Sequence, residues 1–452
     1  MTDTESAPTG TQPPVDGTEP PKAEEKQKAV TFSYGIVMVR TRKLLNILDR
    51  LAEYRIFSAL GWVMLGITIA AAAFMIWLMV DDIYIILNAS LQFRCLIGAA
   101  SAAECAAHNY PNPGPIPLQY NLLLPGLNPY IPLLYGIIGL VVAIVVHEGM
   151  HGVLARRAKL PVKSTGLLFF LFVPIGAFVE VDEKEVAKAK FRDSGRIMAG
   201  GPGSNIIVAA VTLILLLTIV GGLVPHSFNG LYVYQIAQNS PADHLHTQGY
   251  LQAGDLITAA NGTQIQSGAN LSSFMANTKP NQSLVLTIDH GGTYDNYTIT
   301  LQANPNNKSI GFIGIVEVSQ TDLKSVAETY STAIYSKPTL YLLVPGILPQ
   351  AETVVPFSNT LHGLYTSPTL GDSWYPITLT LFWIFFINAN LAFFNAIPLY
   401  PLDGGQALLN FLTHFGKKSV ENHAKAITAV CSGAMLVLIL GFVFLPRILA
   451  LL

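Results

Sequence analysis

The sequence predicts an α-helical polytopic membrane protein with about five to six transmembrane helices, a membrane-associated β-hairpin and one small α/β domain inserted between two spans. Half of the 452 residues are apolar (51 %) and only 12 % are charged, too few charges for a soluble globule of this size. Apolar runs of spanning length recur along the chain, and one polar stretch with strand-like alternation interrupts them.

Charge and cysteine content exclude several classes. The net charge is −2 and no basic cluster is interleaved with aromatics, so nucleic acid is not an expected partner; membrane lipid is. Three cysteines are too few for a disulfide framework or a cysteine-based zinc module, although Cys95 and Cys105 are close enough in sequence to bridge.

Residues 1–30 are rich in Pro, Thr, Glu and Lys and read as a disordered tail, because such a segment cannot bury enough surface to offset its chain entropy. It lacks the charged start and apolar core of a signal peptide, so the first span is expected to act as an uncleaved membrane signal. Spanning runs follow at roughly 56–80, 131–155, 197–224, 376–400 and 425–446. They divide the membrane core into a first part, 31–227, and a second, 376–452.

Basic residues orient the spans. Arg40, Arg42, Lys43, Arg50 and Arg55 precede the first run, whereas Arg94 is the lone basic residue between the first and second, so the amino terminus is expected in the cytoplasm. Arg156, Arg157 and Lys159 after the second span, with Lys184, Lys188, Lys190, Arg192 and Arg196 before the third, agree independently. The segment 160–181 is apolar but broken by Gly166, Pro174 and Gly176, which favours a hairpin or re-entrant element over a sixth span that would invert everything downstream.

Residues 228–318 form the expected extracytoplasmic insert. LYVYQIA, DLITAAN, SLVLTID and YTITLQA alternate like strands, Asn261-Gly262 is a hairpin turn signal, and ANLSSFMANT reads as a short helix. Six glycosylation sequons, at Asn88, Asn261, Asn270, Asn281, Asn296 and Asn307, all fall on the side assigned to the outside, which Asn-rich loops also produce by chance. The connector 319–375, punctuated by Pro338, Pro345, Pro349 and Pro356, reads as amphipathic or re-entrant pieces on that same side.

The chemistry sits in VVHEGMHG, residues 145–152. Ionisable groups inside a span are costly unless a metal, partner or cavity offsets them. Residues four apart share a helix face, so His147 and His151 can offer nitrogens to one cation with Glu148 beside the next position, the HExxH zinc-hydrolase pattern. Catalytic zinc usually takes three protein ligands and leaves a position for water, whose proton the glutamate removes. Asp403, in FFNAIPLYPLDGGQ, follows a span of the same direction and is the expected third ligand; its bland alternative is to cap the helix that starts near Gly404. The remaining histidines, His108, His226, His244, His246, His290, His362, His414 and His423, are scattered and read as surface residues.

HEGMH in a span, GGPGSN at 200–205 and NAIPLYPLDGG at 395–405, in that order, resemble the three signatures of the site-2 protease family of intramembrane zinc metalloproteases. The insert is similar to a PDZ domain, through SPA at 240–242 and LQAGDLITAANG at 251–262; its LYVY at 231–234 is only loosely like a PDZ carboxylate-binding loop. The resemblance implies that His147, His151 and Asp403 bind one zinc ion per chain and that Glu148 is the general base. It also implies that single-span membrane proteins are the substrates, cut within the bilayer in regulated intramembrane proteolysis; the basic residues flanking the spans put VVHEGMHG near the cytoplasmic side. Asn205 and Asn395 match the family's motif asparagines and are expected to contact substrate or support the site; Asn388 and Asn390 read instead as interhelical bonds. Two alternatives stand beside this reading. One is a membrane HExxH protease acting on prenylated or misfolded proteins, disfavoured because no downstream glutamate lies in a span. The other is a catalytically silent membrane adaptor that binds proteins through the PDZ-like domain, and the intact Glu148 argues against it.

Overall fold

The computed structural model describes residues 29–33, 36–108, 114, 117–121, 124–170, 173–344, 353–415 and 418–451. The expected tail therefore lies outside the described residues up to position 28, as do Pro345 and Pro349. Among the described residues, five helices are long and apolar enough to cross a membrane: α2 (Ile56–Asn88), α3 (Leu133–Arg157), α4 (Phe191–Gly221), α7 (Trp374–Ala396) and α9 (Lys418–Leu451). The count settles at the lower expected number, because 160–181 folds as two strands.

Sequence sets these helices locally. Over 56–80 α2 is apolar on every face, as a membrane-spanning helix should be, and Ser90 just beyond it caps the next short helix by accepting from the Phe93 amide. α3 starts after Pro132 and ends in Arg156 and Arg157, with Lys159 in a left-handed conformation (φ 61°) closing the turn. α3, α4 and α7 pack on one another, α2 flanks α4, and α9 lies peripherally against α2.

The first sheet is larger than a hairpin. β3 (Val162–Phe170) and β4 (Val173–Val181) pair antiparallel as expected, but β1 (Val30–Ser33) and β2 (Ile36–Thr41) add to them in the order β1-β2-β3-β4. Thr165 Oγ1 donates to the Thr41 carbonyl, tying the added strands to the hairpin, and α1 (Leu45–Glu53) leads from the sheet to α2. Among the described residues no strand pairs with the second edge of β4, which is turned to α3.

The insert forms its own core. β5 (Leu231–Ile236), β6 (Leu256–Ala260), β7 (Ser283–Asp289), β8 (Tyr294–Thr300) and β9 (Ile315–Val318) make an antiparallel sheet of order β8-β7-β6-β5-β9, covered by α5 (Gly268–Met275). Asn261 and Gly262 take positive φ (48° and 79°), the turn their pairing predicts. Leu231, Ile257, Leu284, Leu286 and Ile288 are fully buried, each worth roughly 1.5–3 kcal/mol.

The connector folds onto the end of the bundle. Ser319 and Asp322 form a reciprocal capping box that starts α6 (Gln320–Thr332), which packs on α4. Tyr330 then meets Tyr341 and Phe357 edge-on, Phe357 tilts against Phe382 of α7 to extend one apolar cluster, and Val224–Pro225 pairs with Tyr365–Thr366. Among the segments between α2 and α3, Cys95 and Cys105 are disulfide-bonded, joining two short helices, Leu91–Leu96 and Ala102–Ala107.

Candidate metal centre

The helical spacing acts as the sequence predicts: His147 and His151 stand one turn apart on α3, ring centroids 4.8 Å from each other. Asp403 is the first residue of α8 (Asp403–Phe415), reached through a tight connector after α7. A Cβ on Gly404 would meet the Ala396 carbonyl oxygen at 2.1 Å, so the glycine is what lets the first turn of α8 sit on the end of α7 and carry Asp403 to α3.

Three ligand atoms converge. Asp403 Oδ2 lies 3.0 Å from His147 Nε2 and 3.4 Å from His151 Nε2, and the three side chains are 15, 9 and 12 % exposed. Oδ2 is otherwise buried without a hydrogen-bond partner. One ligand atom from each residue lies within 4.8 Å of the others, a spacing that one cation can serve.

The outer nitrogens of both rings are held. His151 Nδ1 is 2.6 Å from the Ile197 carbonyl, which accepts its proton and leaves Nε2 as the lone-pair nitrogen. The side-chain amide of Asn205, fully buried, lies 3.3 Å from His147 Nδ1, and its oxygen has no other partner. A histidine that offers Nε2 to a metal carries its proton on Nδ1, and a half-turn of the Asn205 amide supplies the acceptor that proton needs. Both contacts come from α4, where a Cβ on Gly201 would stand 2.4 Å from His151 Nε2 and 2.6 Å from His147 Nε2. No other residue type leaves room for the two rings against that helix. The donor set, the orphaned carboxylate oxygen and the held tautomers therefore fit a zinc ion.

Glu148 Oε2 accepts from the Val179 backbone N–H at 3.0 Å, so β4 reaches the site as well. Side-chain motifs cannot reveal that contact. Asn395 donates to the Leu391 carbonyl of its own helix, and Asn388 and Asn390 donate likewise to Ile384 and Phe386 rather than across helices. The remaining histidines are not brought to the centre; His290 instead pairs with Asp255 at 2.9 Å in the insert.

The sequence profile of peptidase family M50 matches residues 135–439, which takes in both histidines, Glu148 and Asp403. The chain belongs to peptidase family M50, the site-2 protease family. Among relatives of this M50 protein, an uncharacterised protein of Methanocaldococcus jannaschii is 27 % identical, covering 81 % of this chain and 75 % of its own length. The probable protease eep of Enterococcus faecalis is 21 % identical over 58 % of this chain and 61 % of its own. ARASP2, described as a probable chloroplast membrane metalloprotease of Arabidopsis thaliana, is 26 % identical over 61 and 66 %. The match thus spans three quarters of the archaeal relative and under two thirds of the other two. The PDZ domain of an SdrC-like protein from Listeria monocytogenes is 25 % identical, covers 22 % of this chain and 98 % of its own, and superposes with a TM-score of 0.18.

Proposed function

We propose that this M50 protein is a zinc-dependent intramembrane endopeptidase that cuts transmembrane helices of single-span membrane proteins. The observation that carries the reading is the convergence of His147 Nε2, His151 Nε2 and Asp403 Oδ2 beside Glu148, on helices apolar enough to lie in a bilayer. These three residues hold one zinc ion per chain. Zinc, when bound, supplies the Lewis acidity that polarises a scissile carbonyl and makes water a nucleophile near neutral pH. Glu148 removes the water's proton and returns it to the leaving amine. Asn205 supports the site by fixing the tautomer of His147. A scissile segment must leave its helix, exposing backbone groups that only protein can satisfy in hydrocarbon; the edge of β4 away from Val179 and the amide of Asn395 are the groups proposed to meet them.

The site lies on the cytoplasmic side and the insert outside. The basic residues around 40–55 and 156–196 support this orientation, as does a disulfide in the 81–130 segment, which belongs to an oxidising compartment. The test is cleavage of a tagged single-span helix by the detergent-purified protein, beside Glu148→Gln and beside wild type treated with a zinc chelator. Cutting that both controls abolish is the expected result. Identical behaviour of all three preparations, with zinc present in the wild type, would sink the protease reading in favour of the adaptor.

A further inference from the structure

We propose that the backbone N–H of Val179 is a positioning group for Glu148, fixing one carboxylate oxygen so that the other faces the substrate water. The inference rests on the protease reading above and adds a residue that none of the three sequence motifs contains. Val179 pairs with Thr165 of β3 on one side, and its N–H points the other way, from the free edge of β4 to Glu148 Oε2 at 3.0 Å. The strand is pressed onto the helix at this point: a Cβ on Gly152 would stand 3.0 Å from Val179 Cγ1.

The β3–β4 pairing is irregular at the same place. Val162 faces Val181 and Thr165 faces Val179, so the register shifts beside the residue whose N–H is used. Irregularities of this kind re-aim an edge and are frequent next to active sites. The rest of β4 could hold the same sheet without this contact; the N–H that turns to α3 meets a carboxylate that would otherwise rotate about three side-chain bonds. Holding Oε2 leaves Oε1 as the oxygen free to take a proton, and it orders that oxygen before substrate arrives. The β1–β2 extension braces the opposite edge of the hairpin through Thr165 and Thr41, so the donor is carried by a four-stranded sheet.

Two measurements on the full chain in detergent test this. The first needs neither metal nor activity: residue-resolved hydrogen exchange at Val179 should rise about tenfold to a hundredfold in Glu148→Ala, while the neighbouring β4 amides bonded to β3 keep their protection. Unchanged exchange at Val179 overturns the proposal, whatever the enzyme does. The second removes the donor, by Val179→Pro, which an edge position tolerates, and by replacing the Val179 amide with an ester, which preserves the side chain. Expected is a kcat lower by roughly 10–100-fold with KM and zinc content retained. Should the proline variant fail to fold, the ester decides. An ester variant with wild-type kcat, or one that loses zinc in parallel with activity, overturns the positioning role. Absence of cleavage by the wild type on every substrate counts against the protease reading instead, and the exchange measurement still decides the contact.

Discussion

Asp403 is the residue on which the centre depends most. Two histidines on one helix face bind a divalent ion weakly, and in the proposed zinc site the Asp403 carboxylate would supply both the third ligand and the negative charge. Asp403→Ala should therefore cost more zinc affinity than the roughly 10–100-fold lost on disturbing a supporting group, read by titration against a competing chelator. Asn205→Ala disturbs such a group and should fall inside that range; equal losses for the two variants would refute the division of roles. Gly201→Ala places a methyl against both imidazoles, so the purified variant should carry little zinc while remaining folded, and metal analysis at wild-type stoichiometry would show that α4 can retreat. The histidine pair and Glu148 were legible because their spacing is local. Asp403 was legible only through a second motif far along the chain. The tautomer-fixing carbonyl of Ile197 and the Val179 N–H were not legible, since backbone groups carry no residue-type signal.

Elements show the same division between local and non-local information. The five spans follow from uninterrupted apolar length, and the insert's strands from alternation and turn residues. β1 and β2 escaped a reading dominated by the basic residues beside them, because short strands gain their burial only from the hairpin they join. Glu317 on β9 gives the insert a measurable pH dependence. Burial first, and then the nearby Asp322 carboxylate, raise its pKa above the ordinary glutamate value. A carboxylate raised in the folded state favours folding while protonated, and that contribution is lost as pH rises from the unfolded pKa through the folded one. The insert should thus be less stable at pH 7 than just above pH 4 by this group, and Glu317→Gln should remove most of the difference. Hydrogen exchange of the β7 core amides at the two pH values, corrected for intrinsic rates, reads it; an unchanged pH dependence in the variant would exclude Glu317 as its source.

At the scale of the whole molecule, the reading stands on orientation, because a protease that cuts in the bilayer must receive water from one side and substrate from the plane. The three motifs share one end of the bundle: HEGMH near the end of α3, GGPGSN early in α4 and Asp403 just past α7. The insert and the connector α6 join the other end, where α4 finishes at Gly221. The proposed orientation puts the motif end in the cytoplasm, on the flanking basic residues, and the segment between α2 and α3, which carries the Cys95–Cys105 bridge, opposite it. Two exposed positions discriminate the alternatives: Lys188 on the motif side and Asn296 on β8 of the insert. In a Cys431→Ser background, a cysteine at Asn296 should react with a membrane-impermeant maleimide in intact cells, and one at Lys188 only after permeabilisation. Asn296 is also the acceptor of a sequon, so a host that glycosylates its outer surface should modify it and Asn261. Labelling in the reverse pattern would place HEGMH at the outer face, and the positive charges flanking α2 and α3 would then need a partner other than the cytoplasmic leaflet.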